Sequence, residues 1–205
     1  MSRSGQWIAF LVAMSAVGAV GNGAPPAQPR QPNIVMIVGD DMGYADIGVH
    51  GSKDIPTPNI DALARAGIRF TDGYVTGPHC SPTRAALLTG RYQQRFGHES
   101  NFGAAVPNAG LPASETTIAD RLKAAGYRTA LFGKWHLGFT ERLHPMSRGF
   151  DEFYGFLGGD HSYFESTPTD KDPLYEGRTP VAASGYLTDV LTDRAVAFIL
   201  SLIHI

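Results

Sequence analysis

The chain has 205 residues, of which 43% are hydrophobic and 18% are charged, a composition typical of a globular protein. Its formal net charge of −2 argues against a strongly basic surface and therefore against nucleic acid as a partner. The length allows a sizeable core and either one or two domains.

The first residues are typical of a secretory signal peptide. Arg3 supplies a positive charge, residues 7–20 carry no charge, and small residues follow. An uncleaved membrane anchor is the alternative, but the run is shorter than the roughly 20 residues that a spanning helix needs. We therefore expect a signal peptide at 1–23, a flexible leader at 24–32, and a secreted or periplasmic protein without membrane contact after cleavage.

Short apolar runs and amphipathic helices alternate along the rest of the chain. Buried strands are predicted at 33–38, 68–75 and 129–132. Helices are predicted from apolar periodicity and from their start and stop residues, at 58–66, 82–88, 117–125 and 187–199. Strands that alternate with helices predict an α/β fold with a mostly parallel sheet flanked by helices.

Two adjacent carboxylates, Asp40 and Asp41, follow the first predicted strand. Functional sites in such sheets form beyond the carboxyl ends of strands. Close carboxylates repel each other unless a cation or protons intervene, and hard cations such as Ca²⁺ and Mg²⁺ prefer oxygen ligands. A solvated turn is the alternative interpretation of this pair.

Cys80 is the only cysteine, so an exported chain of this kind cannot form an internal disulfide. Pro82 is well placed to begin a helix, which would put Cys80 at the positive helix end and Arg84 about one turn along on the same side. A thiolate or another anion would be stabilised there. A small buried side chain, a frequent fate of free cysteine, is equally compatible with this sequence.

Lys134 and His136 follow the predicted strand at 129–132. On an extended segment, side chains two residues apart project from the same face. A fixed cation beside a titratable imidazole suits an anionic ester, because the cation holds the charge while the imidazole moves a proton. A surface lysine and a buried structural histidine are the alternative.

Together these clusters resemble the signatures of the type I sulfatases. Cys-x-Pro-x-Arg at 80–84, followed four residues later by Thr-Gly-Arg at 89–91, is similar to the nucleophile signature of that family. Residues 133–138 (GKWHLG) are similar to its second signature, and the resemblance spans about 32–199. The chain is identified as the N-terminal part of a bacterial-type member of the branch similar to arylsulfatases A and B. This implies an alkaline-phosphatase-like fold, incomplete here, with a truncated catalytic domain at 33–199.

The resemblance implies a role for each motif residue. A maturation enzyme would oxidise Cys80 to Cα-formylglycine, whose hydrate attacks the sulfur of a sulfate ester. Arg84 would hold the formylglycine, Lys134 would bind the sulfate oxygens, and His136 would act as the base that helps to expel sulfate. The expected substrate is a sulfated polysaccharide or an aryl sulfate. A phosphonate or phosphodiester hydrolase of the same superfamily and a non-catalytic binding scaffold are the alternatives.

The resemblance also implies Ca²⁺ as the cofactor, with Mg²⁺ as the alternative. Asp40, Asp41 and an oxygen of modified Cys80 would bind it, and the remaining ligands would lie beyond residue 205. His161 lies in a stretch similar to the region that shapes the substrate pocket in the family, so it is a candidate for substrate contact. A structural role for this histidine is the alternative.

Residues 200–205 (LSLIHI) break the polar pattern expected after the last predicted helix. They also match the translation of a transposon end used in sequencing adaptors. We therefore expect a non-native tail at 200–205, and we expect that these 205 residues alone are inactive.

Overall fold

The computed structural model describes residues 31–106 and 108–202. The chain divides into two units, one ending at Val38 and the other beginning at Gly39. The predicted signal peptide, nearly all of the predicted leader and residues 203–205 lie outside the described residues. None of the helices in the described part of the chain is long and apolar enough to cross a membrane.

All four predicted helices are present in the described residues. They are α1 (Pro58–Ala66), α2 (Cys80–Thr89), α3 (Ile118–Ala124) and α4 (Leu187–Ser201). Two short 3-10 turns precede α1, at Tyr44–Asp46 and Gly48–His50, and three more lie between the later helices, at Gln93–Phe96, Glu141–Leu143 and Pro145–Ser147. Helix α2 begins two residues before the predicted start, which makes Cys80 its first residue. Helix α4 runs two residues past the predicted end.

The start of α3 shows why the sequence places helices well. The Thr117 hydroxyl accepts a hydrogen bond from the backbone N–H of Asp120 at 3.0 Å, and the Asp120 carboxylate accepts one from the backbone N–H of Thr117 at 2.8 Å. Both backbone donors would otherwise lack partners at the helix start. This reciprocal capping fixes the point at which α3 begins.

The largest sheet in the described residues has four strands and is mixed. The strands of the structure are β1 (Ala130–Lys134), β2 (Glu152–Phe156), β3 (Glu165–Ser166), β4 (Leu174–Glu176), β5 (Thr179–Val181) and β6 (Ala183–Ser184). The sheet order is β1-β2-β4-β5, with β1 and β2 parallel and the other two pairs antiparallel, while β3 and β6 form a small antiparallel pair. The predicted strand at 129–132 is confirmed as β1, shifted towards the C-terminus.

Two predicted strands are wrong. Residues 33–38 and 68–75 have no strand structure, and their apolar side chains are exposed, with Ile37 and Ile68 at 86% and 85%. An apolar, β-branched run favours a strand only where a neighbouring strand supplies hydrogen-bond partners and a packing surface. Neither run pairs with a strand among the residues that the structure describes.

The segment that follows β1 contributes two side chains to the hydrophobic core. Trp135 and Leu137 are buried, with 1% and 0% exposure, and they pack with Phe150, Phe153 and other apolar side chains. The indole N–H of Trp135 donates to the Leu143 carbonyl at 2.9 Å. Because these two side chains are anchored in the core, the backbone of the residue between them has a fixed position.

Candidate active site

Helix α2 positions Cys80 at its N-terminus. The thiol is half-buried, and the helix dipole favours negative charge at this end. Asn101 accepts a hydrogen bond from the backbone N–H of Ser81 at 3.0 Å, and its side-chain oxygen lies 3.6 Å from the Cys80 Sγ. A distant residue therefore satisfies one of the free backbone donors at the start of the helix.

The predicted base lies against this thiol. The His136 Nδ1 is 3.2 Å from the Cys80 Sγ. His136 has a φ of +58°, a left-handed conformation that costs about 1–3 kcal/mol in a residue other than glycine. Hydrogen bonds on both sides of the residue hold it: its N–H donates to the Leu157 carbonyl at 3.0 Å, and its carbonyl accepts from the Ser81 hydroxyl at 2.6 Å.

The His136 ring is neutral near pH 7. Burial, followed by the charges of Lys134 and Arg84, lowers its pKa from 6.5 to about 4, and the Asp40 carboxylate only partly opposes this. A neutral imidazole within hydrogen-bond distance of residue 80 can accept a proton. The geometry and the protonation state therefore both suit a general base.

Arg84 and Lys134 form a cationic cluster around Asp40. The Arg84 guanidinium donates to the Lys134 carbonyl at 2.7 Å and lies 3.4 Å from one Asp40 oxygen, while the Lys134 Nζ lies 2.8 Å from the other. Burial raises the pKa of Asp40, but the hydrogen bond from Lys134 and the charge of Arg84 outweigh it and hold that pKa below its usual range. With side-chain exposures of 15% and 8%, both cations are shielded from solvent.

The predicted metal ligands Asp40 and Asp41 lie on an irregular segment after Gly39. Carboxylate oxygens are the donors that Ca²⁺ prefers, so these residues fit the ion in kind. Asp41 has a left-handed φ of +55°. Within residues 31–106 and 108–202, however, no three histidine, cysteine, aspartate or glutamate side chains gather as a metal site would require. Asp40 and Asp41 can thus supply only part of a coordination shell.

His161 lines a cavity of about 380 Å³ beside the site. Gly159, on the same wall, is packed against the His136 ring so closely that an added Cβ would lie 2.8 Å from the ring carbon Cε1. Asp160, Asp170 and Lys171 supply charges to the cavity, and Phe139 supplies an apolar surface. The Nδ1 of His161 lies 2.8 Å from the Ser162 carbonyl, and its ring lies against Phe156.

The structure brings Cys80, Arg84, Lys134 and His136 together with Asp40. The roles predicted for these residues require such a cluster. Three further residues of this region carry no sequence signal that points to the site. Ser81 lies inside the nucleophile motif at its variable position, while His98 and Asn101 lie in an irregular segment after Gly97. Only the folded arrangement reveals their contacts.

Comparison with known proteins agrees with the motifs. A family model described as Sulfatase matches residues 32–203. N-acetylgalactosamine-6-sulfatase of Mus musculus is 40% identical over 174 residues, which are 81% of this chain and 32% of that protein. Arylsulfatase of Klebsiella aerogenes is 43% identical over 148 residues, which are 69% of this chain and 32% of that protein. The chain thus spans about a third of the length of these curated relatives.

Two solved structures are also similar to this chain. The crystal structure of Ps i-CgsB has 43% sequence identity and a TM-score of 0.79, covering 85% of this chain and 42% of that one. The same protein in complex with k-i-k-neocarrahexaose gives 42% identity and a TM-score of 0.78, covering 84% and 42%. The expected α/β, alkaline-phosphatase-like fold is thereby confirmed. The family match over most of the chain, together with these relatives, shows that the chain belongs to the sulfatase family.

Proposed function

We propose that the full-length protein hydrolyses sulfate esters with a formylglycine made from Cys80 as its nucleophile. One observation carries this proposal: residue 80 begins a helix, and its Sγ lies 3.2 Å from the Nδ1 of His136. The aldehyde oxygen of formylglycine, or a hydroxyl of its hydrate, would take the place of the sulfur. Lys134 and Arg84 supply positive charge on the same side.

In the proposed reaction, a displacement at sulfur would be followed by an elimination of sulfate. Water adds to the aldehyde and gives a geminal diol, and one diol oxygen bonds to the sulfur of the ester while the bond from sulfur to the alcohol oxygen breaks. The departing alcohol takes the proton that this diol oxygen loses. His136 then accepts the proton of the second hydroxyl, the bond from carbon to the sulfate oxygen breaks, and sulfate leaves as the aldehyde reforms. His136 then gives up its proton to solvent, so the net change is one water consumed for one alcohol, one sulfate and one proton released.

Charge on the sulfate group requires cations at the site. Lys134 is well placed to bind the sulfate oxygens, because it is shielded from solvent and is held through Asp40. Arg84 holds the backbone of Lys134 and would orient the modified residue 80. Asp40, Asp41 and an oxygen on residue 80 would hold a Ca²⁺ or Mg²⁺ ion, together with ligands from outside the described residues. Such an ion would neutralise negative charge on the reacting group.

A sulfated polysaccharide is the substrate class that we propose. The similar structure that contains k-i-k-neocarrahexaose supports a carbohydrate substrate. The cavity beside His136 supports it as well, because Asp160 and Asp170 can bind sugar hydroxyls and Phe139 can pack against a sugar ring. His161 would contact the substrate from the same wall. The N-terminal sequence supports export to the periplasm or the medium, where polymers of this size are met.

Parallel kinetics on two ester classes would test the proposal. The full-length protein is produced with a formylglycine-generating maturation enzyme and assayed on an aryl sulfate and on an aryl phosphodiester. We expect hydrolysis of the sulfate to dominate and to vanish in Cys80→Ala. Faster cleavage of the phosphodiester would reassign the protein to phosphodiester hydrolysis, and full activity in Cys80→Ala would refute the nucleophile.

A further inference from the structure

Two buried polar side chains lie behind the site and have no role in the mechanism above. Ser81 and His98 are each only 1% exposed. The Ser81 hydroxyl oxygen lies 2.7 Å from the His98 Nε2 and 2.6 Å from the His136 carbonyl oxygen. Burial of polar groups is unfavourable unless they are hydrogen-bonded, so contacts this short at this depth mark a specific arrangement.

The direction of each hydrogen bond follows from the number of protons. A serine hydroxyl has one proton, and a carbonyl oxygen can only accept. The contact of 2.6 Å between two oxygens must contain a proton, which only Ser81 can supply. The hydroxyl is therefore the acceptor of its other contact, and the His98 Nε2 must carry the hydrogen that it donates.

The surroundings of His98 favour a neutral ring. Burial lowers the pKa of His98, against a smaller effect of the Gly110 backbone that raises it, so the ring is neutral near pH 7 and carries one proton. Its Nδ1 has no hydrogen-bond partner of normal geometry among the described residues. The ring also meets Phe102 edge to face at 5.4 Å, which restricts its rotation.

The geometry points to His98 as a positioning residue that acts on His136 through Ser81. This inference rests on the proposed function, because it concerns the same site. The Nε2–H of His98 orients the Ser81 hydroxyl towards the His136 carbonyl, and that bond holds His136 in its left-handed conformation with Nδ1 facing residue 80. Since Ser81 follows Cys80 directly, one hydroxyl fixes the base relative to the nucleophile.

Two substitutions of His98 distinguish an effect on the position of His136 from a general loss of stability. Glutamine can place a donor where the Nε2 lies, whereas leucine fills space without a donor. We expect kcat of His98→Leu to fall by about tenfold to a hundredfold, with a smaller fall in kcat/KM, because His136 acts in the elimination of sulfate, after the ester bond has broken. We expect His98→Gln to stay within about threefold of wild type. All rates are taken per mole of formylglycine, measured by mass spectrometry.

A loss of folded protein would lower kcat and kcat/KM by the same factor, and that result would overturn the inference. Equal losses in His98→Gln and His98→Leu would also overturn it, since they would show that the donor is unimportant. Ser81→Ala provides a second variant, in which we expect the same uneven loss as in His98→Leu. If wild type itself hydrolyses no sulfate ester, the proposed function fails instead.

The form of the ring can be measured without any substrate. Nitrogen NMR of the full-length protein labelled with ¹⁵N-histidine, with His98→Gln to assign the signals, reports which nitrogen carries the proton. We expect a protonated Nε2 and an unprotonated Nδ1 at neutral pH. A proton on Nδ1 with none on Nε2 would reverse the hydrogen bond to Ser81 and contradict the inference, whatever the activity of the protein.

Discussion

The Cys80 Sγ and the His136 Nδ1 lie 3.2 Å apart, although the two residues are separated by 56 positions in the chain. The first begins α2 and the second follows β1, so the fold brings a helix start and a strand end to one point. The Ser81 hydroxyl ties the backbone of His136 to this helix, and a second hydrogen bond ties it to Leu157. Residue 80 and the proposed base are therefore close together in the structure without any substrate.

Removal of the proposed base, His136, should stop the reaction after the displacement at sulfur and before the elimination of sulfate. In His136→Ala, the sulfated intermediate forms but loses sulfate slowly, because no group accepts the proton of the second hydroxyl. We expect a burst of alcohol equal to the formylglycine content, followed by turnover about 10²–10⁴-fold slower than wild type. Rapid-mixing measurement with an aryl sulfate checks this. Slow, linear product release without a burst would place His136 in the displacement at sulfur.

A methyl group at Gly159 should displace the same ring. The added Cβ of Gly159→Ala would lie 2.8 Å from the Cε1 of His136, closer than packed atoms tolerate. A misplaced catalytic group loses rate steeply, so we expect kcat to fall by about 10–100-fold. Gly73→Ala is the matched control, because its added Cβ makes only an ordinary contact with Phe70. Equal kcat in the two variants would show that the ring tolerates the shift.

Arg148 is a structural residue whose loss should destabilise the protein. It is 3% exposed, and its guanidinium donates to the carbonyls of Leu111, Pro112 and Glu115. Arg148→Met leaves these acceptors without charged donors, and we expect the free energy of unfolding to fall by about 3 kcal/mol.

The control for Arg148 is Arg178→Met, which removes an exposed ion pair with Glu141. Exposed pairs contribute little, so we expect this variant to lose less than about 1 kcal/mol. Denaturant titration of the two full-length variants compares them. Similar losses would mean that the three carbonyl contacts of Arg148 do not stabilise the fold.

His144 should make stability depend on pH. Burial, with the charge of Arg178, lowers its pKa from 6.5 to about 4. Between these values the unfolded state binds a proton that the folded state does not, so this contribution is present above pH 6.5 and is lost as the pH falls towards 4. From pH 7 to pH 5, wild type should lose about 2 kcal/mol more than His144→Asn. Parallel denaturation curves at both pH values test this, and equal losses would refute it.

The sequence predicts helices and motif residues well because their signals are local. Thr117 caps α3 through a residue three positions away, and Pro58 and Gly67 bound α1. The apolar runs at 33–38 and 68–75 carry the same kind of local signal for strands, but a strand also needs a partner. No local pattern states which partner is present, so these two predictions were wrong.

The features of the candidate site also divide into those that the sequence predicts and those that it does not. The side chains that we propose to act on the substrate belong to short motifs. The roles predicted for Cys80, Arg84, Lys134 and His136 remain predictions that the geometry supports. The left-handed backbone of His136 and the hydrogen bonds of Ser81 and His98 arise only when distant segments pack together. Nothing in the residue types near position 98 indicates a partner 17 residues away.

The most direct test of the central claim is mass spectrometry of the peptide that contains residue 80. The full-length protein is made with and without a maturation enzyme, and each preparation is assayed on an aryl sulfate. We predict an aldehyde in place of the Cys80 thiol, reactive towards a hydrazide, and a rate proportional to the aldehyde fraction. Undiminished hydrolysis by protein whose residue 80 is entirely an unmodified thiol would contradict the account.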